Sequence, residues 1–182
     1  MKFSVLIYII IGMLLLNACG NETHINETIE PLKDNITAPA MEANQMISQH
    51  ERELINEFVH RKQWDMTETG TGVRYGIYYS EDGVEIESGD IVELEYTLEL
   101  LDGTLISKTE EGETETVLVD KDIVESGLHE ALKHLHQGDR AKVIIPSHMA
   151  FGLTGDLDKI PGFSTLVYDL KIIDVRVDNH IK

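Results

Sequence analysis

The sequence predicts an α+β fold: an antiparallel β-sheet wrapped around one short α-helix, preceded by an N-terminal amphipathic helix. Three observations carry this expectation. Val92, Leu94, Tyr96, Leu98 and Leu100 alternate with Glu93, Glu95, Thr97 and Glu99, the period of two that marks a strand with one buried face. Leu128, Ala131, Leu132 and Leu135 recur at i, i+3, i+4 and i+7, which lines up one face of a short helix. Strand-like runs stand before and after that helix, an order that suits a sheet folded over it.

The elements follow in chain order. Residues 1–18 read as a lipoprotein signal peptide, because Lys2 precedes an apolar run from Val5 to Leu16 and Ala18 stands before Cys19. A basic start, a short apolar centre and a small residue at the cut are the parts of a secretory signal. The run is shorter than the ~20 residues that span a bilayer. Leu16-Asn17-Ala18-Cys19-Gly20 looks like a bacterial lipobox, whose Cys becomes the lipidated first residue. Several acyl chains on Cys19 would hold a protein at a membrane where one would not. An uncleaved anchor with an incidental Cys is the alternative, and both place the body outside the cytoplasm. Gly20 stands where an Asp retains lipoproteins at the inner membrane of some bacteria, which leans toward a periplasm-facing outer-membrane lipoprotein.

Residues 19–39 are polar up to Pro39, lack aromatics and contain Pro31, so they are expected to form a flexible tether. A flexible chain of ~20 residues reaches about 25 Å. The three Asn-x-Thr triplets at Asn21, Asn26 and Asn35 read as tether composition. Residues 40–66 are expected to hold the amphipathic helix, with Met46, Ile47, Leu54, Ile55, Phe58 and Val59 on one face. That stripe can pack on the following domain, meet a partner, or self-associate through the 40–62 helix.

Residues 67–182 form the predicted domain. Val73, Tyr75, Ile77 and Tyr79 alternate, and the run ending at Leu100 feeds Asp102-Gly103, a favoured tight turn. Leu105 and Ile106 begin the return strand, and Val117-Leu118-Val119 makes another. Ser126 is expected to cap the short helix and Gly138 to end it. The run Ala141 to Ile145 stops at Pro146, which cannot donate to a ladder. Leu166 to Val177 is rich in β-branched and aliphatic residues. Between these last two strands lies a long loop with Gly152, Gly155, Pro161 and Gly162, carrying Phe151 and Phe163. Long loops inside compact domains are usually functional.

Composition excludes several classes of function. With 33 acidic and 15 basic residues the formal charge is −18, which argues against nucleic acid or an anionic membrane bound through a basic surface. One cysteine excludes an internal disulfide and a Cys-rich zinc site. There is no GxSxG, no usable Cys nucleophile and no phosphate loop. His129, His134, His136 and His148 are the metal candidates, but five residues turn a helix by about 140°, so His129 and His134 diverge. They read as solvated surface residues, with no metal and no cofactor.

The stretch from Gly138 to Val175 resembles the C-terminal half of the FKBP-type peptidyl-prolyl cis-trans isomerases. Gly138, Arg140, Pro146, Ala150-Phe151-Gly152, Ile160-Pro161, Thr165-Leu166, Tyr168-Asp169-Leu170 and Asp174-Val175 carry the likeness. Glu95-Tyr96-Thr97, Leu101 to Ser107 and Val124 to Gly138 extend it, so that it runs from about Val73 to Val177. The resemblance implies an FKBP-like fold and catalysis by an apolar pocket, with Tyr96, Ile106, Ser107, Leu128, Phe151 and Tyr168 at the reacting centre. It implies substrate contacts from Val117, Val124, Glu125 (through its backbone N–H) and Ile160. Against the family pattern, Ile106 stands for a Phe, Ser107 for an Asp, Leu128 for the Trp that floors the pocket, Phe151 for a Tyr and Glu125 for an Ile. The implied pocket is shallower and poorer in aromatics.

Signal, tether, helix and domain together look like the lipid-anchored, gliding-motility-associated isomerases of Bacteroidetes-type bacteria. His50-Glu51-Arg52-Glu53 and Gly70-Thr71-Gly72-Val73-Arg74-Tyr75 fit that group. The expected function is extracytoplasmic folding catalysis on proline-containing exported polypeptides. The alternative is a catalytically weak or inactive binding and chaperone module in an envelope complex.

Overall fold

The computed structural model describes residues 26–177, with side chains from residue 41 onward. The signal segment, the lipidation candidate Cys19 and the start of the expected tether lie outside the described residues. The chain divides into two units, residues 1–46 and 47–182. Among the described residues no helix is long and apolar enough to cross a membrane.

Helix α1 spans Asn26–Lys62. It starts well before Ala40 and stops short of residue 66, so residues 26–39 are helical where a tether was expected. Glu, Ala, Lys, Met and Gln supply the propensity, against the donor that each of Pro31 and Pro39 removes. The C-terminus closes as a Schellman turn. Gln63 takes φ 55, its N–H bonds His60 O and the Trp64 N–H bonds Val59 O, each at 3.2 Å. Trp64 thereby meets Phe58 edge-on, with ring centroids 5.5 Å apart.

Seven antiparallel strands follow: β1 (Thr67–Glu68), β2 (Arg74–Tyr79), β3 (Asp90–Leu100), β4 (Leu105–Lys108), β5 (Glu115–Leu118), β6 (Arg140–Ile145) and β7 (Leu166–Val177). They are ordered β1-β2-β6-β7-β3-β4, with β5 also paired to β3. β7 pairs β3 along its whole length. The other edge of β3 is shared: Ile91 to Leu94 pair with β5 and Thr97 to Glu99 with β4. At the break, the Tyr96 N–H donates to Thr109 Oγ1 and Tyr96 O accepts the Thr109 N–H. The edge therefore parts beside Tyr96.

Strand alternation sorts the two faces. Ala141, Val143 and Ile145 of β6 and Leu166, Tyr168, Leu170 and Ile172 of β7 face the main core with Leu128, Ala131 and Leu132. Their neighbours Ile144 and Val167 point the other way, against Ile55 and Phe58 of α1. The apolar stripe of the first helix thus packs in part on its own domain, while Ile47 and Leu54 stay exposed.

Helix α2, Ser126–Leu132, packs Leu128, Ala131 and Leu132 into the main core. Position 127 must be small, because a Cβ there would sit 2.3 Å from Ile145 Cγ2. Two expectations about its ends are corrected. Glu125 takes the N-cap position without a side-chain cap, and Ser126 Oγ instead donates to Met149 O at 3.1 Å. The helix stops at Leu132, and Gly138 (φ 90) opens β6 with its N–H on Ile172 O. Leu135 is still buried, because the turn after the helix continues inward.

One histidine differs from expectation, while His134 and His148 are exposed as expected. His129 is buried, not solvated. Its Nδ1 accepts the Asp120 N–H at 3.0 Å, so Nε2 carries the proton and donates to Asp122 O at 3.1 Å. His134 stacks on Tyr75 at 4.7 Å. No three metal-ligating side chains come together among the described residues.

Candidate active site

A cleft of about 400 Å³ opens between α2, the core-facing side of β3 and β7, and the loop after β6. Tyr96 reaches it from the parted edge of β3, and Tyr168 from β7, where it pairs Leu98 across the ladder. The two rings lie 5.8 Å apart, tilted by 55°. Leu128, buried on α2, forms the floor, and Val117 on β5 closes one side. Val124 and Glu125 arrive on the segment before α2, and Phe151 and Ile160 on the long loop.

That loop is stitched to itself. The turn Ser147–Met149 follows Pro146, Ser147 O accepts the Gly152 N–H, and Gly152 O accepts the Phe163 N–H, both at 2.8 Å. Asp156 Oδ1 accepts the N–H groups of Asp158 (2.9 Å) and Ile160 (2.7 Å). These bonds hold the Asp156 carboxyl below the usual carboxylate range. Ile160 is thereby fixed as a buried wall, while Phe151 stays 36% exposed at the mouth.

The loop also rests on α1. Glu51 Oε1 accepts the Ser147 N–H at 2.7 Å and the Thr165 hydroxyl at 2.6 Å, and Oε2 accepts the Ser147 hydroxyl at 3.0 Å. Ser147 and Thr165 are the two ends of the loop, so one carboxylate ties its base. On the opposite side, His129 holds the 118–125 segment by its backbone, assisted by Asp122 Oδ2 on the Leu118 N–H and by the Lys133–Asp120 pair.

The polar groups of the cleft are few. Tyr168 donates to Glu125 Oε1 at 3.1 Å. Tyr96 donates to Glu115 Oε1 at 3.2 Å, which leaves the Ser107 hydroxyl to donate to Tyr96 at 3.1 Å. Burial, followed by the Glu125 charge, pushes the Tyr168 hydroxyl far up. Burial likewise raises Tyr96. Both phenols stay protonated donors at neutral pH.

Of the residues the sequence singled out, Tyr96, Leu128, Phe151, Tyr168, Val117, Val124, Glu125 and Ile160 line this cleft. Ile106 packs against the main core and Ser107 touches the cleft only through Tyr96. Neither is among the lining residues, although Ser107 pairs Leu98 of the lining across the ladder. The lining also includes Leu94, Leu98, Leu170, Ile123 and Ala150, not expected there. The first three share the strand alternation of Tyr96 and Tyr168, a signal that could have placed them. Ile123 lies in an irregular segment with no periodicity to read. The Glu125 backbone N–H has no partner among the described residues, so it is available to a ligand carbonyl.

The topology agrees with what comparison with known proteins finds. The model of the FKBP-type peptidyl-prolyl cis-trans isomerase family matches residues 83–173, half of the chain, and the chain belongs to that family. Bovine (Bos taurus) peptidyl-prolyl cis-trans isomerase FKBP10 is 34% identical over 88 residues, covering 48% of this chain and 15% of that protein. The macrophage infectivity potentiator of Trypanosoma cruzi is 33% identical over 87 residues, covering 48% and 44%. The chain thus spans less than half the length of these relatives.

Two solved structures share the fold. A peptidyl-prolyl cis-trans isomerase from Pseudomonas syringae pv. tomato aligns with TM-score 0.63 at 23% identity, over 72% of this chain and 95% of its own. FkpA from Escherichia coli aligns with TM-score 0.62 at 22% identity, over 97% and 83%.

Proposed function

We propose that this chain is a peptidyl-prolyl cis-trans isomerase that assists the folding of proline-containing exported polypeptides, held at a membrane through a lipidated Cys19. The observation that carries the enzymatic part is the apolar cleft between Tyr96, Leu128, Phe151 and Tyr168 in a domain of this family. Rotation about an X-Pro bond breaks amide resonance, with a barrier of about 20 kcal/mol. A catalyst must therefore bind the twisted amide better than the planar one. In the twisted form the carbonyl is less polar, so apolar walls that exclude water favour it over the planar form. Ile160, Phe151 and Leu128 supply those walls, and the Glu125 N–H is placed to hold a substrate carbonyl. Rotation needs no acid, base or nucleophile, so the chemistry is positioning and exclusion of water.

Location and anchoring rest on the sequence: the lipobox-like stretch ending at Cys19 and its resemblance to lipid-anchored, gliding-motility-associated isomerases. Facing the periplasm from the outer membrane is the location this reading assigns. Self-association through the 40–62 helix draws on the exposed Ile47 and Leu54.

A second reading is a binding module that holds proline-containing segments without turning them over. It is favoured by Leu128 on the floor and by tyrosine hydroxyls already engaged by carboxylates. Refolding of a protein limited by prolyl isomerisation separates the two. The full chain in detergent micelles accelerates the slow phase under the enzyme reading. An unchanged slow phase with intact circular dichroism leaves the binding module.

A further inference from the structure

The cleft is apolar in its depth but carries two carboxylates at its mouth, and the charge around them is one-sided. Glu115 and Glu125 each line the cleft and each accept a hydrogen bond from one of its tyrosines. A tyrosine donor leaves the full negative charge in place, and among the described residues neither carboxylate pairs with a Lys or Arg. Both charges act on the same space, since each contributes to raising both Tyr96 and Tyr168. The segment 109–126, which supplies Glu115, Val117 and residues 123–126 to the lining, holds seven carboxylates and a single cation, Lys121. Lys108, at the end of β4, pairs Thr97 and so falls on the other side of the pleat from Ser107 and the cleft.

We propose that Glu115 and Glu125 are specificity-determining residues that select proline-containing segments with a Lys or Arg next to the proline. The apolar floor takes the proline ring, and the carboxylates meet the cationic side chain at the rim. A flanking Asp or Glu meets the same carboxylates and is disfavoured. This inference rests on the cleft being the proline-binding site and names the class of segment it takes.

The test is a series of short peptides identical except that Lys, Leu or Glu precedes the proline, assayed with the full-length chain in micelles. Isomerisation rate and equilibrium binding are both measured, at low and at high salt. Two charges about 6 Å from a cation in water-like surroundings give a preference for Lys over Leu of roughly tenfold in kcat/KM or in Kd. The preference shrinks severalfold as salt rises from about 0.05 to 0.5 M, and in the E115Q/E125Q double variant it falls to about onefold. Turnover of all three peptides at equal rates, or a preference untouched by E115Q/E125Q, overturns the inference and leaves the isomerase reading standing. Lys-selective binding without turnover supports the inference and sinks catalysis instead. Absence of binding by every peptide overturns both.

Discussion

Replacing Glu51 should release the wall of the cleft from the first helix. One carboxylate accepts three hydrogen bonds, two from Ser147 and one from Thr165, at 2.6–3.0 Å. Hydrogen bonds to a charged group contribute about 1.5–3 kcal/mol each when buried. Glu51 is only half-buried, and water can replace part of what is lost, so E51A should cost about 3 kcal/mol in total. At roughly 3–4 °C per kcal/mol for a unit of this size, that is a fall of about 10 °C in Tm. E51Q keeps one acceptor oxygen and should lose about half as much. E57A removes a neighbouring, exposed carboxylate on the same helix and should move stability by less than about 0.5 kcal/mol. Scanning calorimetry of the three variants decides the matter. An E51A midpoint within about 2 °C of the parent, indistinguishable from E57A, refutes the view that this side chain ties the loop.

Three further outcomes are expected. L128A should cost about 2–3 kcal/mol in urea unfolding, the lower part of the range for buried Leu because the cleft can admit water beside it, and a loss below about 1 kcal/mol would argue that Leu128 does not floor a packed site. The carboxyls of Asp120, Asp156 and Asp102 lie below their ordinary values, held chiefly by Lys133 for the first and by backbone N–H groups for the others. Their contribution is complete above the unfolded value near 4 and drains away as pH falls through the lower folded values; urea midpoints should therefore drop between about pH 4 and 2, and D156N should flatten that slope, whereas an unchanged slope contradicts the loop geometry. C19S should abolish lipid labelling and move the protein to the soluble fraction, and a labelled, membrane-bound C19S protein would refute the anchor.

Much of the domain was legible because its signals are local. The alternation through Val92 to Leu100 places Tyr96 inward, and the same period on β7 does so for Tyr168 and Leu170. What was not legible depends on contacts between distant positions. Glu51 meets Ser147 and Thr165 across about a hundred residues of chain, and nothing in its helical surroundings distinguishes it from Glu53 or Glu57. His129 was misread for a similar reason: two backbone groups of the preceding turn satisfy its ring and make burial tolerable. Ile106 and Ser107 occupy the positions of the family's Phe and Asp, yet neither lines the cleft, and Ser107 reaches it through its hydrogen bond with Tyr96. The early start of α1 has another cause, since Pro31 and Pro39 signal a break that the surrounding helix formers override.

The central claim, that this cleft turns over X-Pro bonds, is tested most directly by NMR exchange spectroscopy on a Lys-Pro peptide with a small fraction of the full chain added. The account predicts cis–trans exchange raised well above the uncatalysed rate, lost in F151A while that variant keeps its fold, with peptide-induced shifts centred on Tyr96, Tyr168 and Phe151. Exchange at the uncatalysed rate, with the protein folded and those three signals unmoved at saturating peptide, would contradict it.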